Sequence, residues 1–165
     1  MKSKAAIGDH PIHPLLVPAP IGAFFLVLVG DVAHAATRDP FWYRFSSVAL
    51  GIGITFAVAA AAAGAVDYMT LKMPTRAAGI ATWHALAAGS AVLLYGASAV
   101  LRQSGAGFRT GRWWTAVASS TLGFVIIGIA GWLGGKLAYE EHIGVVESDA
   151  EAKPASSESR VSRAV

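Results

Sequence analysis

The chain has 165 residues, of which 55% are hydrophobic and only 14% are charged, whereas soluble domains carry about 25% charged residues. The formal net charge is only +3 and the basic residues are scattered singly, a pattern that gives no support for a nucleic-acid-binding protein. The absence of cysteine excludes disulfides, thiolate-bound zinc, cysteine-held iron–sulfur clusters, covalently attached haem and cysteine nucleophiles.

Four long apolar stretches follow one another along the chain, at about residues 15–36, 45–66, 77–101 and 113–138. Each reaches the roughly 20 residues that a helix needs to cross a hydrocarbon core. The connections between them are too short to hold a domain, so consecutive helices must run antiparallel as neighbours. The sequence therefore predicts an all-α protein, a four-helix up-down antiparallel transmembrane bundle.

The two ends of the chain differ from these stretches. Residues 1–14 form an interfacial lead-in, and Pro18 and Pro20 then remove backbone donors, so we expect the first helix to be kinked or to begin late. Residues 139–146 end the organised region. Residues 147–165 carry Glu, Ser, Ala, Lys and Arg without apolar periodicity, which predicts a disordered tail.

Alternating helix directions place both termini on the same side of the membrane, and we name that side of the bundle the near end. The balance of basic residues does not decide which side of the membrane this is, because the two ends carry equal numbers. The near end would hold Lys2, Lys4, Lys72, Arg76 and Lys136, and the far end Arg38, Arg44, Arg102, Arg109 and Arg112.

The same topology collects most of the polar side chains at the near end, although they are far apart in sequence. Asp31 and His34 are the exceptions: they lie toward the far end of the first helix, and their i, i+3 spacing puts them on one face, where they can hydrogen-bond each other. The near-end group is His10, His13, Asp67, Arg76, His84, Tyr139 and His142.

His84 is the most informative of these residues, because an ionisable side chain within a spanning helix usually faces the bundle interior with a partner or a cofactor. A neutral imidazole that hydrogen-bonds a neighbouring helix is the simpler alternative. His10 and His13 lie in an H-P-x-H-P motif, which suits either a rigid entry to a helix or a pair of ligands. For Asp67 and Arg76, which flank a short loop, we favour an interfacial ion pair over catalysis.

In this combination of motifs the chain resembles a bacterial family of uncharacterised four-helix integral membrane proteins, classed as a domain of unknown function. The resemblance covers about residues 8–146. Some members of that family look like fusions with Rieske-type or cytochrome c domains, and the resemblance thereby implies a link to electron transfer. The motifs are H-P-I-H-P-L-L-V-P-A-P-I-G from His10 to Gly22, Asp31, G-x-x-D-Y from Gly64 to Tyr68, Pro74 to Arg76, His84, and G-G-x-L-x-Y-x-x-x-I-G-V from Gly134 to Val145.

These observations lead to three functional hypotheses for a multi-pass protein of the cell membrane. The first is a redox component that binds haem b, with His84 as one axial ligand, His13 or His10 as the other, and Arg76 or Lys136 near a propionate. The second is a non-enzymatic scaffold or accessory subunit. The third is a proton or small-ion path through Asp31, His34 and the near-end group.

The partners expected from these hypotheses are the lipid bilayer, and with it a redox protein or a second copy of the chain. No G-x-S-x-G, H-E-x-x-H or G-x-x-x-x-G-K-[ST] pattern is present, so hydrolase, zinc-protease and nucleotide-phosphate chemistry have no support in the sequence, and a non-enzymatic role is favoured.

Overall fold

A computed structural model describes residues 3–8, 10–103 and 111–143 of the protein. The chain begins with a two-residue antiparallel ladder between β1 (Ala6–Ile7) and β2 (His10–Pro11), which sequence reasoning did not predict. Five helices follow, and the long ones confirm the all-α transmembrane bundle. They are α1 (Ile12–Leu16), α2 (Pro18–Thr37), α3 (Pro40–Thr70), α4 (Thr75–Gln103) and α5 (Gly111–Tyr139).

Four segments are long and apolar enough to cross a membrane, and the first of them combines α1 with α2 over Ile12–Thr37. Its two parts are separated at Val17, directly before Pro18. Proline has no backbone N–H and crowds the preceding turn, so the helix cannot continue regularly through this point. The irregularity that the prolines predict is therefore present at Val17, although Val17 keeps right-handed helical dihedral angles and its N–H still donates to His13 at 3.2 Å.

Local signals at the far end explain how α2 turns into α3. Arg38 takes a left-handed conformation with φ 60°, and its N–H donates to the carbonyl of His34, which ends α2. Asp39 then caps α3, because its carboxylate accepts the N–H of Phe41 at 2.8 Å. Pro40 occupies the first helical position, where a missing N–H costs nothing.

The bundle consists of two helical hairpins. The helix α2 packs along α3, and α4 packs along α5, while contacts between the two hairpins are less extensive. Because α2 and α4 run in the same direction, the near end holds the start of α1 and α4 and the end of α3 and α5. At the centre, the rings of Phe24 and Tyr95 stack with centroids 3.6 Å apart, and both side chains are fully buried. This stacked pair joins the two hairpins at the centre of the bundle, and polar side chains of both hairpins meet at either end of it.

Candidate functional site

Two histidines from different hairpins meet at the near end. His13 lies in α1, and His84 lies in the third turn of α4, nine residues after Thr75, where that helix begins. Their ring centroids are 6.0 Å apart and their ring planes are nearly perpendicular, at 88°. We call these two residues the histidine pair. Of the five histidines, these are the two that the structure brings together within the membrane-spanning part of the chain.

The two rings have the same hydrogen-bonded form. Nδ1 of His13 lies 2.7 Å from the carbonyl oxygen of Ala60, and Nδ1 of His84 lies 2.8 Å from that of Ala130. A carbonyl oxygen only accepts, so each Nδ1 carries a hydrogen, and a ring that is neutral in this arrangement has its lone pair on Nε2. Among the described residues no hydrogen bond involves either Nε2. The pair therefore has two nitrogens with unused lone pairs.

A glycine faces each ring from the second helix of the same hairpin. A Cβ on Gly64 would lie 2.9 Å from Nδ1 of His13, and a Cβ on Gly134 would lie 3.2 Å from Cε1 of His84. Contacts this short do not fit a side chain without moving the ring. Glycine at these two positions thus lets α3 and α5 approach the histidines closely, as small residues do for packed helices in membranes.

Asp67 holds the chain that precedes α1. Its carboxylate accepts the hydroxyl of Ser3 at 2.7 and 2.8 Å, and the backbone N–H groups of Lys4 and Ala5 at 2.8 and 3.1 Å. The predicted ion pair of Asp67 with Arg76 is wrong, because the short loop after α3 directs the two side chains to different partners.

The partners of Arg76 are two glutamates that follow α5. Its guanidinium lies 3.4 Å from a carboxylate oxygen of Glu140 and 3.1 Å from one of Glu141, and its side chain is 73% exposed. This exposed ion pair joins the start of α4 to the end of α5. Arg76 is therefore already neutralised by local carboxylates at the edge of the near end.

The other near-end candidates lie on the surface. His10 is exposed in β2, opposite Ile7 of β1. Tyr139 is 84% exposed at the last position of α5, and His142 is exposed with a left-handed φ of 50°. These three residues lie at the same end of the bundle as the histidine pair. Their side chains are exposed, however, whereas those of His13 and His84 are partly buried.

The far end contains a buried polar cluster that sequence reasoning missed. The guanidinium of Arg102 donates two parallel bonds to the carboxylate of Asp31, at 2.9 and 2.6 Å, and both side chains are at most 3% exposed. Two parallel bonds in a fork are the strong geometry for such a pair. Three serines complete this far-end cluster, Ser46, Ser98 and Ser120, which contact Arg102 or Asp31 at 2.9, 3.2 and 3.3 Å.

The predicted pairing of Asp31 with His34 is therefore wrong. Asp31 turns across the bundle to a guanidinium of opposite charge, which stabilises a buried carboxylate far better than a neutral imidazole does. Nδ1 of His34 lies 2.8 Å from the carbonyl oxygen of Asp39, and its ring packs 5.5 Å from that of Trp113. His34 thus lies in the last turn of α2 and contacts the turn between α2 and α3.

The two hairpins place equivalent side chains at equivalent positions. His84 follows His13 by 71 residues, and Arg102 follows Asp31 by the same interval. The helices α3 and α5 correspond with an interval of 70 residues. Because α2 and α4 run parallel, the two halves are related by an approximate two-fold axis along the bundle. The matched pairs are His13 with His84, Phe24 with Tyr95, Asp31 with Arg102, Gly53 with Gly123, Ala60 with Ala130, and Gly64 with Gly134.

Comparison with known proteins places this architecture in a family. A family model described as "Predicted membrane protein (DUF2231)" matches residues 9–147 of the chain. The matched region includes both hairpins, the histidine pair and the far-end cluster. No curated protein and no solved structure matches the chain.

Proposed function

The chain belongs to this family of predicted membrane proteins, and from the geometry of its near end we propose that it is a membrane redox component. In this proposal the imidazoles of His13 and His84 would hold one b-type haem. Bound haem supplies reversible one-electron transfer.

The observation that carries the proposal is the pair of imidazoles with unused Nε2 lone pairs. A metal–imidazole bond is about 2.0–2.1 Å long, so two imidazoles that share one metal ion hold their ring centroids about 5–6.5 Å apart. The centroids of His13 and His84 are 6.0 Å apart. The spacing therefore suits two ligands of a single metal centre.

The number of ligands favours haem over a bare metal ion. Within the described residues no group of three or more His, Cys, Asp or Glu side chains is placed to hold an ion. A protein that binds a bare transition metal normally supplies three or four ligands, whereas haem brings four nitrogens of its own and needs two. Helix bundles commonly supply such facing histidines together with an apolar environment.

The backbone around each histidine has a defined role in this proposal. The carbonyl groups of Ala60 and Ala130 fix the tautomer and the ring orientation, and they make each Nε2 a stronger donor of its lone pair. Gly64 and Gly134 keep side-chain atoms away from the rings. Of the two cations considered for a propionate, Arg76 already pairs with Glu140 and Glu141, so we favour Lys136.

The decisive experiment is an absorption spectrum of the detergent-purified protein after expression with added haem. We expect a Soret band and about one haem per chain, which His84→Ala and His13→Ala abolish or reduce severely. His10→Ala and His142→Ala are the matched controls, because both residues are exposed and should leave the spectrum unchanged.

The same experiment separates the alternatives. A wild-type protein without a Soret band, whose His84→Ala variant only loses stability, supports the scaffold instead. In a scaffold the bonds to Ala60 and Ala130 would simply satisfy the two rings. A proton path is the least favoured of the three, because the Asp31 carboxylate is paired with the Arg102 guanidinium.

The remaining expectations extend this proposal to the cell. The lipid bilayer surrounds the four spanning segments, and we propose that both termini lie on one side of the cell membrane. A redox partner, or a second copy of the chain, would then meet the protein at the near end, where the histidine pair lies closest to water.

A further inference from the structure

The short helix α1 carries His13 but has little of its own to hold it in place. It has five residues, none of them buried, and no side chain caps its N-terminus. Helices this short are not stable by themselves in water. On its C-terminal side it joins α2 at Val17, where Pro18 has no backbone N–H to donate. Besides the bond of the His13 ring to Ala60, the position of α1 therefore depends on contacts made by the chain on its N-terminal side.

That chain is the N-terminal segment, residues 3–8 and 10–11, and it is anchored at one residue of α3. The Asp67 carboxylate accepts from three donors of this segment: the Ser3 hydroxyl, which lies 2.8 and 2.7 Å from its two oxygens, and the N–H groups of Lys4 and Ala5. Ser3 is only 8% exposed as a result. Bonds to an ionised carboxylate are about twice as strong as neutral ones.

A continuous set of backbone bonds connects this anchor to the histidine. The carbonyl oxygen of Ala5 accepts the N–H of Ile12, the first residue of α1, at 2.8 Å. Within the loop that this bond closes, the ladder between β1 and β2 pairs Ala6 with Pro11 and Ile7 with His10. His13 follows Ile12, and its ring then reaches Ala60, two turns before Asp67 on α3.

The second hairpin needs no such anchor. Its histidine, His84, lies inside the continuous 29-residue helix α4, so the helix itself fixes its position. The residue equivalent to Asp67 on α5 is Leu137, which carries no charge. Of these two equivalent positions, the carboxylate is thus present only in the hairpin whose histidine lies in the first turn of a helix, next to the irregularity at Val17.

We propose that Asp67 is the positioning residue of the histidine pair: it holds the N-terminal segment on the end of α3 and thereby keeps His13 opposite His84. Its role toward haem rests on the proposed function. Its role in holding the segment does not, and the two are tested separately.

The first test is hydrogen exchange of the purified protein without haem. In Asp67→Leu, which copies the residue of the second hairpin, the amides of Lys4, Ala5 and Ile12 should exchange about 10- to 100-fold faster. Asp67→Glu should recover part of the protection. Asp39→Leu is the matched control, because it removes a capping carboxylate at the far end and should leave these amides unchanged.

The second test uses the haem-loaded protein. Asp67→Leu should retain haem through His84 but lose His13 as a ligand, which converts a six-coordinate low-spin spectrum into a five-coordinate high-spin one that binds carbon monoxide. Asp39→Leu should keep the low-spin spectrum.

Unchanged exchange in Asp67→Leu would overturn the proposal, as would equal acceleration in both variants. Faster exchange together with an unchanged low-spin spectrum would also overturn it, since the segment would then be held without controlling His13. If the wild-type protein binds no haem, the proposed function fails, and exchange alone decides whether Asp67 holds the segment.

Discussion

The two ends of the bundle treat buried polar groups in opposite ways. At the far end, the guanidinium of Arg102 and the carboxylate of Asp31 bind each other and three serines, so the ion pair is surrounded by partners. At the near end, each ring of the histidine pair uses one nitrogen and leaves the other available. Both sites join the same two hairpins. The difference agrees with a structural role for the far end and with the ligand-binding role proposed for the near end.

The largest loss of stability should come from removing only one partner of the ion pair between Asp31 and Arg102. Arg102→Met leaves the Asp31 carboxylate buried without its cation, which should cost about 3–5 kcal/mol. The double variant Asp31→Leu with Arg102→Met should recover most of this loss. Unfolding in detergent mixtures measures both values. A single variant within about 1 kcal/mol of the wild type would contradict a structural role for the pair.

A smaller effect should come from filling the space beside His13. Gly64→Ala places a Cβ 2.9 Å from Nδ1 of that ring, which should cost about 1–3 kcal/mol and weaken the Soret band. Gly128→Ala is the control, because nothing lies within 4 Å of its added Cβ. There alanine should be neutral or stabilising by up to about 1 kcal/mol. Equal thermal stability of the two variants would argue against close packing at the pair.

The smallest effect should come from Arg76→Ala. The Arg76 side chain is 73% exposed, and ion pairs made by such surface side chains contribute about 0–1 kcal/mol. Thermal unfolding should therefore change little, and the Soret band should persist. Loss of the band would show that Arg76, rather than Lys136, interacts with a propionate.

The fold could be predicted from the sequence because hydropathy and segment length reflect one strong constraint, the thickness of the bilayer. Topology then brought His13 and His84 to the same end of the bundle. The partner of each Nδ1 could not be predicted, since it is a backbone carbonyl and every residue has one. The role of Asp67 was also hidden, because it binds backbone N–H groups of residues far away in sequence.

Arg102 was missed for a different reason. Its charge limits the third apolar stretch to residue 101, whereas α4 continues to Gln103 and the Arg102 side chain is buried. A signal was available, because a carboxylate such as Asp31 within a spanning helix calls for a partner of opposite charge. The repeat was hidden as well, since equivalent positions hold different residue types, such as Asp31 and Arg102.

That difference has a consequence for how the halves recognise each other. If the first hairpin packed against a copy of itself, the axis would bring two aspartates together in an apolar interior, and two copies of the second hairpin would bring together two arginines. Either assembly buries like charges at close range, which costs several kcal/mol. Only the mixed arrangement neutralises them. The buried charges therefore make the pairing of the hairpins specific: each hairpin packs against the other and not against a copy of itself.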